Sequence, residues 1–209
     1  MVTNDGRALR RDSKAMRRRI VDAVAAIILR DGLAGMGINA LAREAGCDKV
    51  LIYRYFGDLE GVYEAFAAQG DFWWTVEALT AGIEPSRMTP GAAFKLVLRR
   101  HAEAIRARPV TLAVLAAETV ERTPLVVALE TVRERRSLAL ARWMEQRFAV
   151  PAGLDAAAIS MLLGIAVNYL AVRGRSIRVM AGVPIRSDKD WQRIFAAIGT
   201  LIDGVLPER

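Results

Sequence analysis

Residues 38–55 read INALAREAGCDKVLIYRY, and this stretch decides the fold. Two short helices joined by a tight turn need particular residue types at particular places. A small residue must sit inside the first helix where the second crosses it, and Ala42 stands there. The turn favours a residue that tolerates a left-handed backbone, and Gly46 follows four positions later. Leu41, Ala45, Cys47, Ile52 and Tyr55 then fall at the spacing of a shared apolar core. That is the pattern of a helix-turn-helix, whose second helix enters the major groove of DNA. Two core helices of any all-helical domain are the alternative.

Working outward, the chain before this window is basic. Residues 7–19 hold Arg7, Arg10, Arg11, Lys14, Arg17, Arg18 and Arg19 against Asp12 alone. Ile20, Ala23, Val24, Ile27 and Ile28 then recur at i, i+3, i+4, i+7 and i+8, one apolar face of a helix. Asp12 or Ser13 is the expected N-cap and Gly32 the expected C-terminal stop. After the window, Asp58 should cap a helix running to about Ala81. Breaks are expected at Gly82 to Pro90 and at Arg108-Pro109, because proline disfavours helix in the residue before it. Later helices are expected over Gly91 to Ala107, Pro109 to Glu121, Pro124 to Phe148, Asp155 to Gly174 and Ser187 to Leu206. Nothing alternates convincingly at period two. The fold class is therefore all-α, with an N-terminal three-helix DNA-binding domain and a C-terminal helical domain.

Composition sets limits. The 209 residues are 53% hydrophobic and 25% charged, a folded chain with a sizeable core. One cysteine, Cys47, excludes an intrachain disulfide, and one histidine, His101, excludes a multi-histidine metal site. Neither cofactor nor metal is expected, and an enzyme has little chemistry to work with. The net charge of +7 favours a polyanionic partner. The polar start suggests no signal peptide and hence a cytoplasmic protein. Ala156 to Val172 is uncharged but carries Ser160 and Asn168, and a buried helix is expected there, with no membrane partner.

Residues 15–66 resemble the N-terminal domain of TetR-family transcriptional regulators. The characteristic portion is Leu41-Ala42-Arg43-Glu44-Ala45-Gly46-Cys47-Asp48-Lys49, then Leu51-Ile52-Tyr53-Arg54-Tyr55-Phe56, then Asp58-Leu59-Glu60. The resemblance implies that Asp48, Lys49, Val50, Leu51, Tyr53, Arg54 and Tyr55 form the recognition helix. Tyr53 and Tyr55 would donate to phosphates, Val50 and Leu51 would touch base edges or thymine methyls, and Asn39 would reach a phosphate or base. Three positions depart from the family's common pattern: Gly37 replaces Thr, Val50 replaces Gly and Leu59 replaces Lys. Phosphate contacts are lost at two of them. Arg10, Arg11, Arg17, Arg18 or Arg19 would compensate, with Arg17 and Arg18 the leading candidates.

By the same resemblance, residues 1–57 form the DNA-binding domain and 58–209 the effector-binding and dimerisation domain. Aromatic and apolar residues with a few polar groups are candidates for a ligand site: Phe66, Trp73, Trp74, Phe94, Leu98, His101, Leu115, Glu118, Trp143, Asn168 and Tyr169. They equally describe a core. Two apolar helices are the expected dimer surface, through Ile159, Leu163 and Val167 on one and Trp191, Ile194, Phe195, Ile198, Leu201 and Ile202 on the other. The expected function is a one-component repressor. A homodimer would bind a palindromic double-stranded operator and be released by a small molecule of apolar or aromatic character. The helix from Asp58 would be its lever. A nucleoid-type protein without sequence preference is the rival, and an all-helical enzyme a weaker one.

Overall fold

The computed structural model describes residues 5–69 and 72–206, with side chains from residue 12 onward. Arg7, Arg10 and Arg11 therefore lie outside the described side chains. The elements in chain order are α1 Asp5–Asp31, α2 Ile38–Ala45, α3 Lys49–Phe56, α4 Leu59–Ala68 and α5 Val76–Thr80. There follow α6 Pro90–Arg106, α7 Pro109–Ala117, α8 Pro124–Glu145, α9 Ala156–Arg173, β1 Val179–Met180, β2 Val183–Pro184 and α10 Asp188–Val205. The fold is all-α, as the apolar spacing predicts. Among the described residues its one departure is the β1–β2 hairpin, too short for any alternation to show, closed by Ala181 and Gly182 at φ 47° and 77°. Positive φ at both turn positions matches the right-handed twist of paired strands.

The chain folds as two compact units. One comprises Met1–Phe72 with Ala116–Val132, the other Trp73–Leu115 with Arg133–Arg209. In the first unit, α1 buries Ile20, Val24, Ile27 and Ile28 and packs against α2 and α4. It is already helical at Asp5, the first described residue, so neither Asp12 nor Ser13 caps it. Arg7-Ala8-Leu9-Arg10-Arg11 are good helix formers and carry the helix back past the expected cap. At the far end the Gly32 N–H closes on the Ile28 carbonyl at 3.1 Å, as expected.

The lever helix is not continuous. α4 ends at Ala68, and α5 covers only Val76–Thr80 after Thr75 caps a new start through the Ala78 N–H. The apolar spacing persists across Phe66, Trp73 and Val76, which is what made one helix plausible. Gly70-Asp71 in the sequence is the punctuation that this spacing outweighed.

In the second unit α6 is central, burying Val97, Leu98, His101, Ala102 and Ile105 against α5, α9 and α10. α10 starts at a capping box, in which the Ser187 hydroxyl accepts from the Asp190 N–H and the Asp190 carboxylate accepts from the Ser187 N–H. Those bonds hold the Asp190 carboxyl below the usual range. Arg106 pairs with Asp188 at 2.8 Å and lies 4.9 Å from the Trp191 ring centroid. Lys95 pairs with Asp203 at 2.7 Å.

This packing corrects the expected dimer surface. Trp191, Ile194 and Ile202 are buried within their own chain, and Phe195 is half-buried with Arg99 over its ring. The stripe on α10 is mainly a core stripe. Only Leu201 of that set is exposed, with Ile198 half-buried. α9 is corrected in the opposite sense. It buries Val167 and Ala171, leaves Ile159 and Leu163 half-buried, and exposes Met161, Leu162, Ile165 and Tyr169. By length and composition alone α9 is the one described helix apolar enough to cross a membrane.

One position in the first unit is open to improvement. Gly37 precedes α2 with extended backbone, makes no side-chain cap, and has open space where a Cβ would stand. Gly37→Thr should add a hydroxyl cap worth a few tenths of a kcal/mol and remove unfolded-state freedom worth about 0.4–1. The expected gain in urea unfolding is about 1 kcal/mol. A neutral or destabilising result would mean that the hydroxyl does not reach the first-turn N–H groups.

Candidate nucleic-acid interface

The window 38–55 folds as its residue types require. Ala45 ends α2, and Gly46 adopts φ 60°, ψ 47°, the left-handed conformation that reverses the chain. Its N–H and that of Cys47 close on the Arg43 and Ala42 carbonyls. Asp48 then caps α3, its carboxylate accepting from the Val50 N–H at 2.8 Å. Leu41, Ala45 and Ile52 are buried, so the two helices share one apolar seam. Burying a side chain of the Leu41 or Ile52 kind contributes about 1.5–3 kcal/mol.

With Ile52 inward, the opposite face of α3 is fixed. Lys49, Val50, Tyr53 and Arg54 fall at i, i+1, i+4 and i+5 and are exposed, Val50 by 64% and Tyr53 by 49%. A tyrosine and a valine so uncovered, flanked by two cations, suit phosphate oxygens and the apolar edges of bases. Asn39 on α2 is exposed as well. Leu51 and Tyr55 are half-buried on the flank of α3. Asp48 is spent on the helix cap, a structural role distinct from the expected DNA contact.

The next helix is tied closely to this one. The Gly57 N–H closes α3 on the Tyr53 carbonyl, and Asp58 caps α4 through the Gly61 N–H at 2.8 Å. A Cβ at Gly61 would stand 2.1 Å from the Phe56 carbonyl oxygen, so only glycine lets α4 begin this close to α3. Sequence reading passed over Gly61; a glycine inside the first turn of a capped helix was its signal.

The expected arginine contacts divide. The Arg17 guanidinium donates to the Tyr55 carbonyl and lies 5.7 Å from the Tyr55 ring centroid and 5.1 Å from that of Phe56. It is engaged within the protein rather than held out for a phosphate. Arg18 points to solvent and pairs with Asp22 at 3.6 Å, an exposed pair worth about 0–1 kcal/mol and easily exchanged for a phosphate. Arg19 donates to the Ala45 and Gly46 carbonyls. Arg30 bridges Asp31 and Glu44, linking the end of α1 to α2.

The expected ligand residues are distributed over both units. Phe66 belongs to the first unit, buried beside Phe72 at 6.3 Å between ring centroids, and Glu118 to the same unit. In the second unit Trp73, Trp74, His101 and Asn168 come together. The Trp74 indole donates to His101 Nδ1 at 2.7 Å, and His101 Nε2 lies 2.9 Å from Asn168 Oδ1. The first bond makes Nδ1 an acceptor, so the neutral tautomer carries its proton on Nε2 and donates to Asn168. Both tryptophan rings stand edge-on to the imidazole, 5.8 and 5.7 Å away. Burial pushes the His101 pKa down to about 4, only partly opposed by the bond to Asn168. His101 is thus an interior residue, not one facing water.

Leu98 and Leu115 are buried, and Phe94 is half-buried on α6. Trp143 lies apart from the imidazole cluster in its contacts, packing on Phe148 with Arg147 over its ring at 4.7 Å. Tyr169 is exposed on α9, away from the interior expected for it. Arg136, which the sequence did not single out, donates to the Trp73 and Trp74 carbonyls and holds that corner. Among the described residues no group of three or more histidines, cysteines and carboxylates is placed to hold a metal.

Residues 20–66 match the family model described as bacterial regulatory proteins, tetR family. No curated protein matches the chain. Among solved structures, a TetR family transcription regulator from Marinobacter aquaeolei VT8 shares 16% identity at a TM-score of 0.63, over 92% of this chain and 97% of that one. The fatty acid degradation regulator FadR from Bacillus halodurans shares 16% at 0.61, over 92% and 97%. A TetR-family transcriptional regulator from Haemophilus influenzae RD shares 15% at 0.61, over 90% and 96%. At these identities the likeness is one of fold, and it spans nearly the whole chain.

Proposed function

From the premise that this chain is a tetR-family transcriptional regulator, we propose that it is a repressor whose homodimer binds a palindromic operator and is released by a small-molecule effector. The observation that carries this reading is the exposed face of α3, with Lys49, Val50, Tyr53 and Arg54 uncovered on a helix anchored by Ile52. Two such helices in a symmetric dimer reach half-sites about 34–36 Å apart. The uncovered apolar residues of α9 support a second copy as their cover, and Leu201 is the exposed member of the set expected on α10.

The effector reading rests on the aromatic interior of residues 73–115 and 133–209, where Trp73, Trp74, His101 and Asn168 offer apolar walls and a polar relay. Walls of that chemistry would select an apolar or aromatic molecule. Release requires the effector to prefer the conformation that binds DNA poorly, by about 1–3 kcal/mol for a 5- to 150-fold change. Such a protein works in the cytoplasm beside its DNA.

The test is selection from random duplex DNA at about 150 mM salt, followed by binding of Tyr53→Ala to the enriched sequence. A two-fold symmetric site is expected, bound at least 10-fold more weakly by the variant. Salt-sensitive binding with no enriched sequence would replace this reading with that of a nucleoid-type protein.

A further inference from the structure

We propose that Arg17 and Arg19 are positioning residues that brace the helix-turn-helix from α1, each capping the C-terminal end of one of its helices. The proposal rests on the DNA-binding reading for its functional consequence, and on geometry alone for the brace itself.

The last carbonyls of a helix lack partners within it and carry the negative end of its dipole. Both arginines are aimed at such groups. Arg19 Nη2 donates to the carbonyls of Ala45 and Gly46, where α2 stops. Arg17 Nη2 donates to the carbonyl of Tyr55, in the last turn of α3. Residues two apart on a helix are separated by about 200° around its axis. Arg17 and Arg19 therefore leave α1 on different sides, Arg19 reaching the turn between α2 and α3 and Arg17 the far end of α3. Arg18, between them, faces solvent with Asp22.

Two details show that these sites are shaped for guanidinium. A Cβ at Gly46 would stand 2.9 Å from Arg19 Nη2, so the residue that makes the turn also leaves room for the brace. The Arg17 guanidinium carbon lies within cation–π range of both Tyr55 and Phe56 while its N–H reaches the Tyr55 carbonyl. A lysine offers a compact ammonium without a planar face and cannot do both. The consequence falls on α3: its C-terminal turn, and with it the register of Tyr53 and Arg54 on DNA, is set from α1.

The test compares Arg17→Met and Arg17→Lys in the full-length protein, on the selected operator and on random duplex, across a salt series. Arg17→Met should weaken operator binding about 10- to 100-fold, change random-duplex binding less than about 3-fold, and keep the salt slope, with Arg17→Lys failing to restore it. A direct phosphate contact would lower the slope by about 0.9, weaken both duplexes alike and be restored by lysine, overturning the proposal. Amide exchange on the DNA-free protein gives a second reading. In Arg17→Met the Gly57 amide should exchange about 10-fold faster, and in Arg19→Met those of Gly46 and Cys47, with α6 amides unchanged. Unchanged exchange, or acceleration throughout the chain, overturns the brace. If wild type enriches no duplex, the DNA reading fails and exchange alone decides the brace.

Discussion

Acidification from pH 7 to pH 4 will cost this protein about 3 kcal/mol of stability through one residue, His101. Buried between Trp73, Trp74 and Asn168, its imidazole is held neutral, with its pKa lowered from 6.5 to about 4. In the unfolded chain it regains the ordinary value near 6.5. Between those two values the unfolded state binds the proton and the folded state does not. Stability from this group is therefore complete above about pH 6.5, falls as the pH drops towards 4, and levels off below. Protonation within the fold would also place a donor on Nδ1 against the Trp74 indole N–H, two donors facing each other at 2.7 Å. Of the carboxylates, Asp31, Glu77 and Asp190 are also shifted, all downward, so their contribution is lost as the pH falls through the ordinary carboxylate range and below it. The window from pH 6.5 to 4.5 belongs to His101. Urea unfolding at pH 7, 5.5 and 4.5 should show the loss in wild type. His101→Phe should be weaker at pH 7, because Trp74 and Asn168 lose a partner at about 1–3 kcal/mol each, but nearly flat across that window. Parallel slopes in the two proteins would put the titration elsewhere.

His101 also marks how far sequence reading reaches. The residue stands behind Arg99 and Arg100, a context that says nothing of its burial, because its partners come from positions 74 and 168. Local signals fared better. Gly46 and Asp48 are punctuation whose backbone demands are settled within a few residues, so α2 and α3 were legible almost to the residue. Pro90, Pro109 and Pro124 likewise place the starts of α6, α7 and α8. The arginines before Ile20 were legible as charge but not as aim. Whether a guanidinium reaches a phosphate or the Tyr55 carbonyl depends on which helix end lies beside it, and that is tertiary information. The same holds for the apolar stripes. Periodicity reveals that α10 has one apolar side and α9 several, yet not which side its own chain consumes. α6 consumes that of α10, burying Trp191, Ile194 and Ile202, whereas α9 keeps its excess on the surface.

That excess leads to the second large expected effect. Met161, Leu162, Ile165 and Tyr169 are 56%, 62%, 57% and 56% exposed on α9, at spacings that keep them on one side of the helix. If a second copy covers them through a two-fold axis, each substitution enters the interface twice. Ile165→Arg would then bury two unpaired, like-charged guanidinium groups near one another, at a cost of several kcal/mol. Dimer affinity should weaken by about 10³-fold or more, since every 1.4 kcal/mol is a factor of ten. The isolated subunit should lose within about 0.5 kcal/mol, because an exposed arginine leaves its core intact. Operator affinity should fall by about 10²–10⁴-fold as the two half-site contacts become independent, without any change in α3. Val167→Arg on the same helix provides the contrast. Val167 is fully buried in its own chain, so the charge should unfold the subunit instead of separating two folded ones. Sedimentation and thermal unfolding of the two variants distinguish these outcomes directly. A folded monomer from Ile165→Arg beside an unfolded Val167→Arg assigns the dimer contact to the outer face of α9. An Ile165→Arg protein that remains a dimer moves that contact elsewhere and leaves the apolar face to another occupant.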